Sequence, residues 1–358
     1  MTMPLRLDSY RLLGRSGLRV SPLALGTMTF GTDWGWGTEE DEARRIFDAY
    51  VDQGGNFIDT ANSYTGGSSE RLLGKFASTK RDRLVISTKF TMSTREGDPN
   101  SGGNHRKSMV RSVEDSLKRL RTDYIDLLYL HLWDGTTPVE EILRGMDDLV
   151  RQGKVLYLGV SDIPAWQVSR MQAIADLRGF APLIALQSEY NLAERTPERD
   201  LIPMAREMGL GVVPWSPLAN GVLTGKYSRA DLANKADHAT VTGTRKSVAT
   251  GYGSLNERAL DIADVVLAVA RESGYSAARV ALAWTLRTDG VTASLVGART
   301  AQQLEDNLGA LSVELSDNQW ARLEQASAIS LGFPHEMLRS QMVLQVMTGG
   351  TALPERTW

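Results

Sequence analysis

Short runs of aliphatic and β-branched residues recur along the chain, separated by stretches whose apolar positions fall three and four apart. Eight runs stand out: LALGTM at 23–28, NFIDT at 56–60, LVISTK at 84–89, IDLLYLH at 125–131, VLYLGVS at 155–161, LIALQSEY at 183–190, GVVPWS at 211–216 and VTASLVG at 291–297. They lack strict alternation of apolar and polar positions, so they predict strands covered on both faces. The intervening stretches predict helices near 39–53, 68–77, 104–121, 138–152, 164–178, 197–208, 255–273, 276–287 and 301–308. In the 138–152 stretch Val139, Ile142, Leu143, Met146 and Leu149 share one face, and Gly153 supplies the stop.

Strand followed by helix, repeated in this way, predicts an α/β fold in which a parallel sheet closes into a (β/α)8 TIM barrel with long top-face loops. A doubly wound open sheet is the second choice. No GxGxxG follows an early strand, and GVLTGKY at 221–227 misses the P-loop spacing by one residue and ends in Tyr227 where Ser or Thr is needed. Residues 1–358 thus read as a single barrel domain. Residues 10–20 have apolar runs around a glycine turn, which predicts an N-terminal β-hairpin plugging the barrel's lower mouth. Residues 227–253 are long, polar and aperiodic, the pattern of a mobile loop serving the cofactor or substrate. Residues 330–358 form a C-terminal tail, expected to pack over the barrel or to stay partly mobile.

Composition narrows the function. The chain of 358 residues is 42% hydrophobic and 23% charged, the balance of a globular protein with a large core. A net charge of -3 argues against nucleic acid or anionic membranes as partners. Without cysteine there are no disulfides, zinc–thiolate sites or iron–sulfur clusters, and the four histidines at 105, 131, 238 and 335 are too scattered to suggest a metal. The N-terminus carries early charges and no apolar core of a secretory signal, and no apolar stretch is long enough to span a bilayer. Cytoplasmic residence is the expectation.

A barrel of this kind places reactive groups at the C-terminal ends of its strands. Asp59 ends the second run, Tyr64 follows in its loop, Lys89 ends the third and His131 ends the fourth. Taken singly they read as a turn carboxylate, a half-buried ring, a solvated lysine and a hydrogen-bonded histidine. Together they make a tuned phenol. A tyrosine is a sluggish acid near neutrality, and a neighbouring ammonium at Lys89 lowers its pKa. Asp59 would pair with Lys89, and His131 would orient a substrate oxygen beside the phenol. Such a site can donate a proton to a carbonyl, but no side chain donates hydride, so a nicotinamide must be present.

The sequence resembles the aldo-keto reductase superfamily through LGTMTFG at 25–31, GGNFIDTANSYTGGSSERLLG at 54–74, VISTK at 85–89, TDYIDLLYLHLWD at 122–134, QGKVLYLGVSD at 152–162, QSEYNL at 187–192, VPWSPLANGVLTGKY at 213–227 and LVGARTAQQLEDNL at 295–308. These occur in order over residues 10–330. The resemblance implies a catalytic tetrad of Asp59, Tyr64, Lys89 and His131 and an NADPH/NADP+ cofactor. Trp215 matches the ring on which the nicotinamide stacks, and Ser161, Asp162 and Gln187 match contacts to its carboxamide. Ser216, Pro217, Leu218, Gly221, Leu223, Gly225 and Lys226 match the loop crossing the pyrophosphate. Gly297, Ala298, Arg299, Gln303, Asp306 and Asn307 match the segment gripping the 2'-phosphate and adenine. Arg299 also stands before a helix start, whose exposed N–H groups favour a phosphate. Asp162 departs from the family's usual asparagine; ionised, it accepts from the carboxamide amine but cannot donate to its oxygen.

Trp34, Phe90, Met92 and Trp133 fall on top-face loops and are expected to line an aromatic substrate pocket, with Trp215 beside them. The overall expectation is reversible reduction of small-molecule aldehydes or ketones. One alternative is an NADPH-binding sensor subunit of a membrane protein, similar to potassium-channel β subunits. Another, a metal-dependent hydrolase using Asp59 and His131, lacks the ligands it needs. Oligomeric state is not encoded legibly.

Overall fold

A computed structural model describes residues 5–233 and 245–352 of the protein. An antiparallel pair, β1 (Arg11–Leu12) and β2 (Arg19–Val20), precedes eight parallel strands. These are β3 (Leu23–Gly26), β4 (Phe57–Asp59), β5 (Val85–Phe90), β6 (Ile125–Leu130), β7 (Val155–Ser161), β8 (Leu183–Glu189), β9 (Gly211–Trp215) and β10 (Ser294–Gly297). They follow one another around the sheet, and β10 pairs with β3. Between β9 and β10 a parallel bridge joins Val212 to Val291, and the Thr292 N–H donates to the Val212 carbonyl at 2.9 Å. The ring is thus a (β/α)8 barrel, as the periodicity predicts.

The helices between strands are α1 (Glu40–Asp52), α2 (Ser68–Ala77), α3 (Arg106–Leu120), α4 (Val139–Arg151), α5 (Ala165–Arg178) and α6 (Leu201–Met208). The region expected as one helix over 197–208 is split, because Pro197 opens a separate 3-10 turn at Thr196–Glu198 before α6 begins. After β9 come α7 (Arg229–Ala233), α8 (Arg245–Gly251), α9 (Glu257–Ser273) and α10 (Ala277–Arg287). Asn256 caps α9 by accepting from the Ala259 N–H at 2.9 Å, and Ser276 caps α10 through the Arg279 N–H. After β10 come α11 (Ala301–Leu308) and α12 (Asp317–Ser327), the latter with a capping box of Ser316 and Gln319.

Alternation along the strands creates two apolar layers. On β6, Leu128 and Leu130 face the helices, where they join Phe47, Leu73, Met146 and Met171. Leu127 and Tyr129 face inward with Ala24, Phe57, Ala185 and Val213. Tyr129 fits because its neighbour on β7 is Gly159, where a Cβ would stand 2.5 Å from the tyrosine ring. Leu13 and Val20 belong to the inner layer, so the hairpin closes the lower mouth. Gly14 makes that approach possible: its φ is +56, and a Cβ there would lie 2.2 Å from the Ile184 carbonyl oxygen.

The segment over 227–253, expected as a mobile loop, carries helix where it is described. Both of its described ends are helical, α7 and α8, and Val248 and Ala249 of α8 are buried beside the turn that follows β9. Residues 234–244 lie outside the described residues. The tail is held at its start, where Arg199 donates to the Ser330 carbonyl at 2.8 Å. It then forms α13 (His335–Leu338) and α14 (Gln341–Thr348), whose Met342, Val346 and Met347 face solvent rather than the barrel. Residues 353–358 lie outside the described ones. Among the described residues no helix is long and apolar enough to cross a membrane.

Candidate active site

Asp59 is the last residue of β4, Lys89 the next to last of β5, and His131 directly follows β6. Tyr64 opens a short 3-10 turn, Tyr64–Gly67, after β4. Thr65 in that turn has φ +46, an unfavourable value for a β-branched residue, and two hydrogen bonds hold it there. Its hydroxyl donates to the Phe30 carbonyl at 2.6 Å and accepts from the Ser69 N–H at 3.1 Å. The turn therefore presents the Tyr64 ring in a fixed direction.

The structure brings Asp59, Lys89 and Tyr64 into one hydrogen-bonded group. The Lys89 ammonium is fully buried and donates to the Asp59 carboxylate, to the Thr60 carbonyl at 2.8 Å and to the Tyr64 hydroxyl at 3.2 Å. The other Asp59 oxygen accepts from the Ser87 hydroxyl at 2.8 Å and from the Gln187 side-chain amide at 3.0 Å. Gln187 belongs to β8, which stands opposite β4 in the ring, so this last bond crosses the barrel. His131 completes the group, its ring edge-on to Tyr64 with centroids 5.9 Å apart, and its Nδ1 is buried without a hydrogen-bond partner.

Burial pushes the Tyr64 phenol above its ordinary pKa; Lys89 pulls it down and Asp59 pushes it up again. Lys89 thus acts in the expected direction, but burial outweighs it and leaves the phenol less acidic than usual. The ammonium is shared with Asp59, so the pair presents little net charge to the phenol, and loss of water decides the direction. Burial alone would lower the Lys89 ammonium, but Asp59 and Tyr64 together raise it. His131 is pushed down to about 3, first by burial and then by the Lys89 charge. Around neutrality the site therefore holds a protonated phenol, a charged lysine and a neutral imidazole.

The other positions form a band along the upper rim. Ser161 ends β7 and pairs in register with Gln187, and both are buried. Trp215 ends β9 half-buried, and its indole N–H donates to Asp162 at 3.0 Å. The following loop contains Ser216, Pro217, Leu218, Gly221, Leu223, Gly225 and Lys226. It bends through positive φ at Ser216, Ala219, Asn220 and Gly221. Gly221 takes φ +91, which side chains rarely adopt, so the loop keeps a bare backbone there. Gly297 ends β10, and Asn307 of α11 donates to its carbonyl at 3.3 Å.

The helix start at α11 is less open than its sequence suggests. The Ala301 N–H donates to the Glu42 carboxylate at 2.7 Å and the Gln303 N–H to Thr300 at 3.2 Å. Gln303 itself accepts from the Arg299 N–H at 3.0 Å. Asp306 is engaged by Arg279 at 2.9 Å and by Ser276 at 2.7 Å. Arg299 and Ala298 stand at this end, the first exposed and the second buried.

Of the expected pocket residues, Trp34 stands edge-on to Tyr64 at 6.4 Å and beside Trp36, and Met92 is exposed on its loop. Trp133 meets Trp166 edge-on at 5.7 Å and keeps a buried indole N–H without an acceptor. Phe90 is a correction: it is fully buried in the outer layer, because Lys89 faces inward and its neighbour must face out. Three residues escape a reading of the sequence. Ser87 and Glu189 lie two positions from Lys89 and Gln187 on their strands, so alternation could have found them. Tyr252, edge-on to Trp215 at 6.2 Å, follows α8 in an aperiodic region that gives no signal.

Comparison with known proteins agrees with this architecture. Residues 22–328 match the Aldo/keto reductase family. The chain is 38% identical to norsolorinic acid reductase of Aspergillus flavus over 346 residues, covering 94% of this chain and 85% of that protein. It is 37% identical over 348 residues to aryl-alcohol dehydrogenase [NADP(+)] of Phanerodontia chrysosporium, covering 93% and 89%. With most of its length matched in this way and the barrel it requires, the chain belongs to the aldo/keto reductase family.

Proposed function

We propose that the protein reduces aldehydes or ketones to alcohols, reversibly, with Tyr64 as proton donor and NADPH as the reductant. The observation that carries this reading is the Tyr64 hydroxyl 3.2 Å from a buried ammonium on the barrel rim. Lys89 holds the phenol in place and stabilises negative charge developing on its oxygen as the proton leaves. Asp59 fixes Lys89 and keeps it charged. The neutral His131 offers a hydrogen bond to the carbonyl oxygen, which positions it beside the phenol.

The cofactor supplies the hydride when bound. The residues present fit it: Trp215 gives a flat ring at the rim, and Ser161 and Asp162 flank it. The bare backbone of the 216–226 loop suits a pyrophosphate, and Arg299 and Asn307 suit the adenosine end. The name of the Phanerodontia chrysosporium relative includes NADP(+). Both relatives are named as oxidoreductases, which favours an enzyme over a sensor subunit. The aryl-alcohol dehydrogenase name, with the rings of Trp34, Trp133, Trp166 and Tyr252 about the mouth, supports aryl carbonyls as the preferred substrates. The barrel acts as one catalytic domain, to which residues 245–253 contribute Tyr252 at the mouth. The test is NADPH oxidation with nitrobenzaldehydes and with straight-chain aldehydes of similar size. Faster turnover of the aromatic set is expected, and absence of turnover with every carbonyl would refute the reading.

A further inference from the structure

Asp162 directly follows β7 and takes φ +46, a left-handed conformation that a short polar side chain tolerates. That turn aims its carboxylate at Trp215, whose indole N–H it accepts at 3.0 Å. Glu189 is a second acid here, the ladder partner of Trp215 on β8. Its carboxyl is pushed up to about 7 by burial, then by Glu194 and by Asp162, with Asn191 opposing. Burial raises the Asp162 carboxyl above its ordinary value, the Trp215 hydrogen bond and the Lys89 charge lower it again, and Lys89 is itself held by Asp59, Thr60 and Tyr64. Among the described residues no cation forms an ion pair with Asp162 or Glu189, so the edge of Trp215 keeps the negative charge of Asp162.

We infer that Asp162 makes the site prefer the oxidised, cationic nicotinamide of NADP+ over the neutral dihydronicotinamide of NADPH. This rests on the proposal that a nicotinamide stacks on Trp215. A carboxylate hydrogen-bonded to the edge of the indole lies within about one ring's breadth of whatever stacks on its face. It attracts a pyridinium and is indifferent to a neutral ring. The Asp162 residue is exposed at the rim although its carboxyl is partly desolvated, so the attraction is partly screened and amounts to about a three- to tenfold difference in affinity. An asparagine there would offer a dipole without the charge. On the enzyme, the equilibrium shifts toward alcohol and NADP+, so Asp162 favours carbonyl reduction and slows NADP+ release.

The experiment is a pair of binding titrations, NADP+ and NADPH, followed by quenching of tryptophan fluorescence in wild type and Asp162→Asn. Asparagine keeps an acceptor for Trp215 and tolerates positive φ, and thermal melting checks its fold. The ratio of Kd for NADPH to Kd for NADP+ should fall about three- to tenfold in the variant, mostly through weaker NADP+ binding. In wild type alone, raising the salt should shrink the same ratio, which tests the charge without any substitution. A ratio unmoved by the variant and by salt would overturn the inference, as would equal weakening of both forms. Wild type that bound neither form would overturn the nicotinamide reading itself; binding of both with an unmoved ratio removes only the role of Asp162.

Discussion

The Lys89 ammonium lies 3.2 Å from the Tyr64 hydroxyl and is shared with the Asp59 carboxylate, so the phenol sees a near-neutral pair rather than a lone cation. Tyr64 is consequently protonated at neutral pH, as the proposed role of proton donor requires.

Replacing Tyr64 with phenylalanine removes the proposed proton donor and little else, because the ring still fills its place beside Trp34 and His131. Turnover should fall by about 10²–10⁴-fold while NADPH affinity stays within about twofold. Steady-state rates and cofactor titration on the same preparation decide it, and wild-type turnover in the variant would remove Tyr64 from its role.

Lys89→Met leaves the buried Asp59 carboxylate without its cation. The side chains of Lys89 and Asp59 are 0% and 2% exposed, so water cannot make good the loss. Breaking such a pair costs about 3–5 kcal/mol. Urea denaturation measures it; a loss below about 1 kcal/mol would show that the pair contributes little to the fold.

Two partly buried groups pull stability in opposite directions with pH. His131 has its folded pKa depressed to about 3, so it stabilises the fold above the ordinary histidine range and loses that contribution as pH falls. Glu189 has its pKa raised to about 7, so its contribution is complete at low pH and lost as pH climbs toward that value. Their slopes offset each other where the windows overlap. Glu189→Gln should unmask the histidine, giving stability that rises with pH by up to about 1.4 kcal/mol per unit on the acid side of neutrality. Urea midpoints across this range provide the check, and superimposable profiles for variant and wild type would refute it.

Gly14→Ala places a Cβ against the Ile184 carbonyl in a backbone conformation that alanine disfavours. A destabilisation above about 2 kcal/mol is expected, with catalytic constants at room temperature little changed because the hairpin lies at the far end of the barrel. An unchanged urea midpoint would mean that the hairpin shifts freely.

The barrel was legible because each strand is an apolar run bounded by turn residues, and helices such as α4 carry one clean apolar face. Asp59, Lys89 and His131 were legible because strand ends are where such a fold collects reactive groups. What was hidden depends on contacts distant in sequence. Phe90 reads as a pocket residue from its place at a strand end, but Lys89 takes the inward face and turns it outward. The apparently open start of α11 is capped by Glu42, 259 residues earlier. The direction of the Tyr64 shift follows from how much water reaches it, which no motif records.

The Gln187 to Asp59 hydrogen bond has a mechanical meaning. It joins β8 to β4 across the diameter, like a tie-rod between facing walls, and its anchor is the carboxylate that steadies Lys89. The upper mouth cannot flatten or spread without stretching that tie. Distortion of either half of the cylinder is thus transmitted through Asp59 and Lys89 to the Tyr64 hydroxyl.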